Sequence, residues 1–168
     1  MSTLVDHQLR NLCKMRGLVE PYTPEMINPA SIDVTLGPTV LVEGRPGQER
    51  WVEVDIADGA YSLQPGEFVL AHTAEFVRVP SNLECVFNLK SSRGREGYQH
   101  LLAAYIDPGF QGRVTLELVN VNRYHRLPLE HGMRIGQLRF SKLDEIPMRS
   151  YAVTGRYQGD LGAQPSKG

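Results

Sequence analysis

The chain has 168 residues, a length that fits one domain with a sizeable core and no need for disulfides or a structural metal. Its 18 basic and 19 acidic residues are well mixed and give a net charge of −1, which argues against nucleic acid or a membrane surface as the main partner. Two cysteines, Cys13 and Cys85, are too few for a disulfide framework and predict buried thiols in a reducing, cytoplasmic protein. Neither a secretion signal nor a membrane-spanning apolar run is expected from the pattern.

The first predicted element is a short amphipathic helix. Apolar residues line one helical face between Leu4 and Met15, and Gly17 marks its end. After it the signals are those of β-strands separated by Gly-Pro, Pro-Gly and Asp-Gly turns. The strand-like segments are SIDVTL, TVLVE, WVEVD, EFVLAHT, EFVRVP, ECVFNL, RVTLELVN and IGQLRF. Many short strands and no second long helix predict a mainly β protein, an antiparallel barrel or sandwich of which the jelly roll is one form.

The last stretch, Gly155 to Gly168, is rich in glycine and polar residues. It is predicted to be a flexible tail or lid that follows a barrel domain of residues 1–154. Arg156, Tyr157 and Gln158 cluster within it, which a purely solvating tail would not require.

The run from Ala103 to Asn120 places two carboxylates on one turn-and-strand unit. Pro108 and Gly109 predict a turn after Asp107, and an alternating strand follows. On that strand Glu117 lies on the face opposite the apolar residues, so it faces either solvent or a pocket.

A second segment with chemical potential is KSSRGREG, from Lys90 to Gly97. Its hydroxyls, cations and glycines suit an anion cradle, but on these residues alone a solvent-exposed loop is the more common structure. The spacing is not that of a P-loop. The five histidines also lack the spacings of zinc deaminases and zinc proteases, so no zinc site is expected.

Five segments together resemble the dCTP deaminase branch of the dCTP deaminase and dUTPase superfamily. They are PASIDVTLG, KSSRGR, AAYIDPGF followed by TLELVN, HGMRIGQLRF and GRYQGDLGAQPSK, and they occur in the family's order. The resemblance implies a homotrimer of distorted jelly-roll barrels with active sites between subunits. It also implies hydrolytic deamination of dCTP to dUTP and ammonia, a step toward dUMP and dTTP, without protein-bound zinc and with Mg²⁺ carried by the substrate triphosphate.

The resemblance also implies a role for each matching residue. Glu117 would be the general base and acid, Ser91 and Arg95 would position the water and the glutamate, and the main-chain carbonyl of Ala103 would accept from the water. Asp107 would hold the sugar 3′-hydroxyl, and Phe110 would pack on the deoxyribose. The residues implied to bind phosphate or other parts of the substrate are Lys90, Ser92, Tyr151, Arg156, Tyr157, Gln158 and Gln164.

Four positions depart from the family pattern. Lys90 replaces the usual arginine, and Asp160 replaces a tail glutamine. Ala104 and Tyr105 stand where these deaminases more often carry histidine or glycine, followed by arginine or tryptophan. These departures keep other substrates and products open: a bifunctional enzyme that goes on to dUMP, a dCMP-preferring variant or a dUTPase. Because dUTPases have no use for a glutamate at position 117, that residue favours deamination. A non-catalytic nucleotide-binding trimer is the remaining alternative, and the joint presence of Ser91, Arg95 and Glu117 argues against it.

Overall fold

The protein is described here by a computed structural model covering residues 2–101 and 103–168. The helices are α1 (Asp6–Arg16), α2 (Ser91–Glu96) and α3 (Tyr151–Thr154), with a 3-10 turn at Pro24–Met26. The strands are β1 (Ser2–Thr3), β2 (Val19–Glu20), β3 (Ile27–Asn28), β4 (Ser31–Thr35), β5 (Thr39–Glu43), β6 (Trp51–Asp55), β7 (Ala60–Leu63), β8 (Phe68–His72), β9 (Phe76–Arg78), β10 (Leu83–Leu89), β11 (Tyr98–His100), β12 (Tyr105–Ile106), β13 (Gln111–Gly112), β14 (Thr115–Asn120), β15 (Leu127–Glu130) and β16 (Arg134–Lys142). The predicted mainly β fold with a short N-terminal helix is confirmed, and every predicted strand segment contains a strand.

Two large antiparallel sheets surround the core. One has the order β12-β10-β16-β4-β3, with β1 also paired to β16, and the other has the order β11-β14-β8-β5-β6. Two small sheets, β13-β9-β2 and β15-β7, complete the structure. Phe87 and Phe140 from the first large sheet and Leu116 and Leu118 from the second are buried in one core. Most neighbouring strands are distant in sequence, as in a distorted jelly-roll barrel.

The N-terminal helix follows its sequence pattern closely. Leu9 and Cys13 are its buried residues, and the helix ends at Gly17, whose φ of 59° is left-handed. Glycine adopts that conformation without the steric cost that a side chain would bring. Both cysteines are free and buried, as predicted, and burial raises the pKa of the Cys13 thiol to about 11. Among the helices of the described residues, none has the length and apolar character needed to cross a membrane.

The segment KSSRGREG differs from the loop that its composition suggests. Residues Ser91–Glu96 form α2, which begins after Lys90 and ends at Gly97 with a φ of 106°. Arg93 attaches this helix to β16, because its Nε donates to the carbonyl of Arg134 at 3.0 Å. Its Nη1 also pairs with Glu96 in the same helix at 2.7 Å. The hydroxyls and cations of this segment are therefore presented by a short helix that is fixed to β16.

Candidate active site

A cavity of about 670 Å³ lies beside β14. Its walls are formed by β14, by the segment that precedes it, by β6 and β8, and by the C-terminal tail. Of the residues predicted for the site, those that line this cavity are Ala103, Asp107, Phe110, Glu117, Tyr151, Tyr157 and Gln164. Ala103, Asp107 and Glu117 are thus brought together with residues of the distant tail.

Glu117 faces the pocket rather than bulk solvent. Along β14 the residues alternate between half-buried and buried, with Leu116 and Leu118 fully buried and Glu117 on the other face. Its side chain is 25% exposed. Pairing on both sides fixes its position: it lies opposite Leu70 in β8, and its carbonyl accepts from the amide of Leu101 at 3.1 Å. A paired central strand gives a carboxylate a well-defined position.

The carboxylate of Glu117 lies against a histidine that sequence reasoning missed. Nε2 of His100 is 3.2 Å from Oε2 of Glu117, and the His100 side chain is only 6% exposed. The imidazole packs on the ring of Phe87, with 4.7 Å between centroids. Oε2 is buried, and within the described residues no hydrogen bond reaches it. The exposed part of Glu117 on the cavity therefore does not include Oε2, which leaves the rest of the carboxylate to meet a ligand.

The turn between Asp107 and Phe110 forms the next wall. The amide of Phe110 donates to the carbonyl of Asp107 at 3.1 Å, and Gly109 has a φ of 92°. A Cβ at Gly109 would lie 2.3 Å from Oγ of Ser150, so glycine is required both by conformation and by space. Phe110 is buried and contacts Tyr151 with 5.8 Å between ring centroids. Asp107, which is exposed, lies beside an aromatic wall.

The C-terminal tail supplies the opposite wall. Tyr157, Asp160, Gln164, Pro165 and Ser166 all line the cavity. The side chain of Gln158, predicted to bind substrate, instead bonds to the barrel: its Oε1 accepts from the amide of Gln111 at 3.0 Å and its Nε2 donates to the carbonyl of Gly109 at 3.2 Å. Lid behaviour of residues 155–168 stays a prediction, but in this structure they lie on the barrel.

Lys90, predicted to bind phosphate, is engaged elsewhere. Its Nζ donates to both carboxylate oxygens of Asp33, at 2.7 and 2.6 Å. Asp33 is 1% exposed and also accepts from Nδ2 of Asn28 at 2.7 Å and from Nη1 of Arg134 at 3.3 Å. Asp33 therefore links β3, the start of α2 and β16 through these bonds, and Lys90 is its main partner.

Ser91, Ser92 and Arg95 lie outside the cavity that contains Glu117. They are exposed on α2, and none of them is among the residues that line the cavity in the described part of the chain. The strand register explains this separation, because Tyr98, just after α2, lies opposite Asn120 at the far end of β14. Three residues of strand then separate that end from Glu117, or roughly 10 Å.

A second cavity of about 540 Å³ adjoins the first. The two share Tyr105, Asp107, Tyr151 and Tyr157, while Arg149 and Arg156 line only the second. Tyr105, one of the departures from the family pattern, donates its hydroxyl to Oε2 of Glu84 at 3.1 Å. Burial, with this bond to Glu84, raises the pKa of the Tyr105 hydroxyl, which therefore stays a donor. Asp107 therefore lies at the junction of the cavity that contains Glu117 and the cavity that contains Arg149 and Arg156.

Other lining residues were not singled out from sequence: Arg50, Trp51, Arg113 and Thr115. Arg113 and Thr115 could have been found, because they share the polar face of β14 and its approach with Glu117. Arg50, Trp51 and His100 carry no such signal, since only the pairing of distant strands brings them here. In the described ranges, no group of three or more His, Cys, Asp or Glu residues is placed to hold a metal ion.

Comparisons with known proteins identify the family of this chain. The family described as dCTP deaminase-like matches residues 3–143. A protein of Thermobifida fusca named dCTP deaminase, dUMP-forming, is 41% identical over 181 residues, which cover 98% of this chain and 91% of the relative. A relative with the same name from Acidothermus cellulolyticus is 40% identical and covers 98% and 94%.

Among solved structures, 2'-deoxycytidine 5'-triphosphate deaminase from Agrobacterium tumefaciens has a TM-score of 0.69 and 24% identity. The match covers 83% of this chain but spans about half, 48%, of that longer chain, so the likeness supports the fold alone. The family match covers most of the chain, and the two relatives extend it to nearly the whole length. The chain therefore belongs to the dCTP deaminase-like family.

Proposed function

We propose that this protein deaminates dCTP and then hydrolyses the resulting dUTP to dUMP and diphosphate. The observation that carries the deaminase step is Glu117, a carboxylate on a central strand that faces a cavity of nucleotide size. The sequence leaves open whether dUTP is released or hydrolysed further to dUMP. Hydrolysis to dUMP is preferred because the similar proteins from Thermobifida fusca and Acidothermus cellulolyticus are named for it.

In the deamination, Glu117 takes a proton from a water molecule, and the oxygen of that water attacks C4 of cytosine. That proton passes to N3. The proton of the new C4 hydroxyl is then transferred to the exocyclic amine, which leaves as ammonia as the C4 carbonyl forms, so that dCTP and water give dUTP and ammonia. A carboxylate suits this work because it can accept and return the same proton. The main-chain carbonyl of Ala103, a residue that also lines the cavity, would accept from the attacking water.

The two adjoining cavities give the substrate a direction. The base would lie in the first cavity toward Glu117, and the phosphates would extend past Asp107 toward Arg156 and Arg149 in the second. Phe110 and Tyr151 would pack on the deoxyribose between them. Guanidinium groups bind phosphate oxygens strongly, and the substrate would arrive as its Mg²⁺ complex. Asp107, at the junction, is placed to hold the sugar and to activate water at the α-phosphorus.

We further propose that the working site is shared between subunits of a trimer. Ser91, Ser92 and Arg95 match the family motif but lie on an exposed helix away from the cavity of their own chain. A heterologous contact in a closed ring would bring α2 of one subunit to the cavity of the next. Lys90 then has an indirect role: its pairing with Asp33 fixes the start of α2.

A mixing experiment tests the shared site. Glu117→Gln subunits and Arg95→Met subunits, each inactive alone, are unfolded, mixed in equal amounts and refolded together. A shared site takes its glutamate from one subunit and its arginine from the next, so random mixing leaves about one quarter of the sites intact. Recovery of about that fraction of wild-type ammonia release supports the proposal. No recovery, with trimers confirmed by light scattering, would place both residues in one chain's site.

The activity itself is tested by product analysis. The protein is incubated with Mg²⁺ and dCTP, dCMP or dUTP, and ammonia, dUTP, dUMP and diphosphate are measured. Ammonia from dCTP, with dUMP as the final nucleotide, is expected. Ammonia from dCMP but not dCTP would support the dCMP-preferring alternative, and dUTP hydrolysis with no ammonia from any cytosine nucleotide would leave a dUTPase. Nucleotide binding with no turnover would indicate the non-catalytic alternative.

A further inference from the structure

We infer that Asp160 and Lys167 are positioning residues that dock the C-terminal tail onto the cavity of its own chain before any nucleotide binds. The consequence for nucleotide affinity rests on the proposed function, whereas the docking itself does not. Asp160 stands where the family pattern has a glutamine, and an anion facing a triphosphate would weaken binding unless a cation offset it. The structure supplies that cation from the chain's own end.

Lys167 closes the tail into a loop. Its Nζ lies 3.0 and 2.9 Å from the two carboxylate oxygens of Asp160 and donates to the carbonyl of Arg156 at 3.0 Å. The same ammonium lies 4.9 Å from the centroid of the Tyr157 ring, and the amide of Lys167 donates to the Tyr157 hydroxyl at 3.0 Å. One side chain thus ties the end of the tail to its beginning.

The tail is also bonded to the barrel on both sides of Asp160. The amide of Gly159 donates to the carbonyl of Gln111 at 2.7 Å, and the amide of Arg113 donates to the carbonyl of Asp160 at 2.8 Å. Further along, the amide of Gln164 donates to Oγ1 of Thr115 at 3.2 Å. These bonds run along the approach to β14 and its first residue, so the tail follows the strand that carries Glu117.

Close packing accompanies these bonds. A Cβ at Gly112 would lie 3.1 Å from the carbonyl oxygen of Asp160 and 3.2 Å from the Phe110 ring. The Asp160 side chain is only 16% exposed, compared with 37% for Lys167. The ion pair is therefore partly shielded from solvent, and it holds the loop whose residues 164–166 form the cavity wall. A glutamine at position 160 could not form an ion pair with Lys167. This ion pair, the latch of the tail, therefore depends on the aspartate that replaces the family's glutamine.

Hydrogen exchange of the ligand-free protein tests the docking. Peptides covering residues 157–168 are compared in wild type, Asp160→Asn and Lys167→Met. An ion pair of this exposure changes a local opening equilibrium by up to about fivefold, so we expect exchange in the tail to rise by about three- to fivefold in each variant. The double variant should exchange no faster than either single one, because both changes remove the same interaction. About 1 M salt should bring wild type close to the variants.

Glu20→Gln is the matched control. It also removes a carboxylate from an ion pair, that of Glu20 with Arg78, which does not contribute to the cavity. This control should leave tail exchange unchanged. In turnover assays, the Asp160 and Lys167 variants should raise KM for dCTP by up to about fivefold, with a smaller effect on kcat.

Tail exchange that is equal in wild type and both variants would overturn the inference, as would a tail that is protected only after nucleotide is added. Because these measurements use protein without substrate, a failure of the proposed activity would not change them. Conversely, a docked tail in a protein that releases no ammonia would refute the proposed function and leave the latch intact.

Discussion

Replacing Lys90 with methionine separates a structural role from direct phosphate binding. The change keeps the length and the apolar stem of the side chain but removes the cation that pairs with Asp33, whose side chain is 1% exposed. The buried carboxylate would keep only Asn28 and the more distant Arg134 as partners. Breaking a buried pair in this way costs about 3 to 5 kcal/mol, and we expect about 3 because those partners remain.

That loss should appear first in stability. For a domain of this size, about 3 kcal/mol corresponds to a fall in melting temperature of roughly 6 to 12 °C. Activity should also fall, because Lys90 directly precedes α2 and its carbonyl accepts from the amide of Gly94 at 3.0 Å in the first turn. Differential scanning calorimetry and dCTP kinetics on the same samples measure both effects.

Two further variants complete the test. Lys90→Arg keeps the cation and should retain most of the stability and activity. The double variant Lys90→Met with Asp33→Leu removes both charges and should recover much of the melting temperature, because a buried pair replaced by apolar groups costs little. If Lys90→Met leaves the melting temperature unchanged and raises only KM, Lys90 binds phosphate directly and its pairing with Asp33 does not stabilise the fold.

Three other predictions follow from single contacts. His100→Asn should lower kcat for ammonia release at least about tenfold while the fold is kept, with exposed Gln99→Ala on the same strand as an unaffected control in the same assay. Gly109→Ala should cost about 1 to 2 kcal/mol in denaturant unfolding, whereas Gly59→Ala, whose Cβ meets no atom within 4 Å, should cost much less. Burial lowers the pKa of His72 below its ordinary value, so stability should be full above about pH 6.5 and fall as the pH drops below it. The free energy of unfolding in urea is measured between about pH 7 and pH 5. A His72→Gln variant whose free energy of unfolding falls with pH as steeply as that of the wild type would contradict this.

The strands were predictable because their information is local. In TLELVN the alternation of apolar and polar residues indicates which side chains face the core. Leu116 and Leu118 are buried in the structure, whereas Glu117 is not. The end of α1 at Gly17 is local in the same sense, since it depends on the backbone freedom of one residue. The helical form of Ser91–Glu96 was not predicted because its two serines and its glycine favour a helix less than its two arginines do, so the local preference of this short segment is mixed.

The site was only partly predictable because it depends on contacts between distant segments. Family resemblance gathered Glu117, Asp107 and the tail, but it could not show that Lys90 is bound to Asp33. His100 meets Glu117 only because β11 pairs with β14 in one particular register, and a lone histidine gives no warning of that. From the sequence alone, the negative charge of Asp160 would be expected to weaken binding of a triphosphate. Its partner, Lys167, is seven residues away, and only the folded loop brings the two together.

The two carboxylates of the cavity should be separable by substitution, because the proposed function gives each a different proton to move. Asp107→Asn keeps a group that can hydrogen-bond a sugar hydroxyl but cannot take a proton from water. With dCTP it should still release ammonia and should accumulate dUTP in place of dUMP. Glu117→Gln should show the opposite behaviour, with no ammonia from dCTP but continued hydrolysis of added dUTP.

The position of Asp107 at the junction of the two cavities is the reason to expect this separation, since Glu117 lines the first cavity and Arg149 and Arg156 line the second. Product ratios measured by anion-exchange chromatography, with ammonia measured in parallel, decide the outcome. An Asp107→Asn enzyme that makes dUMP from dCTP in the wild-type proportion would show that water attacking phosphorus is activated elsewhere. Asp107 would then be left with the sugar alone, and the dUMP-forming step would need another base.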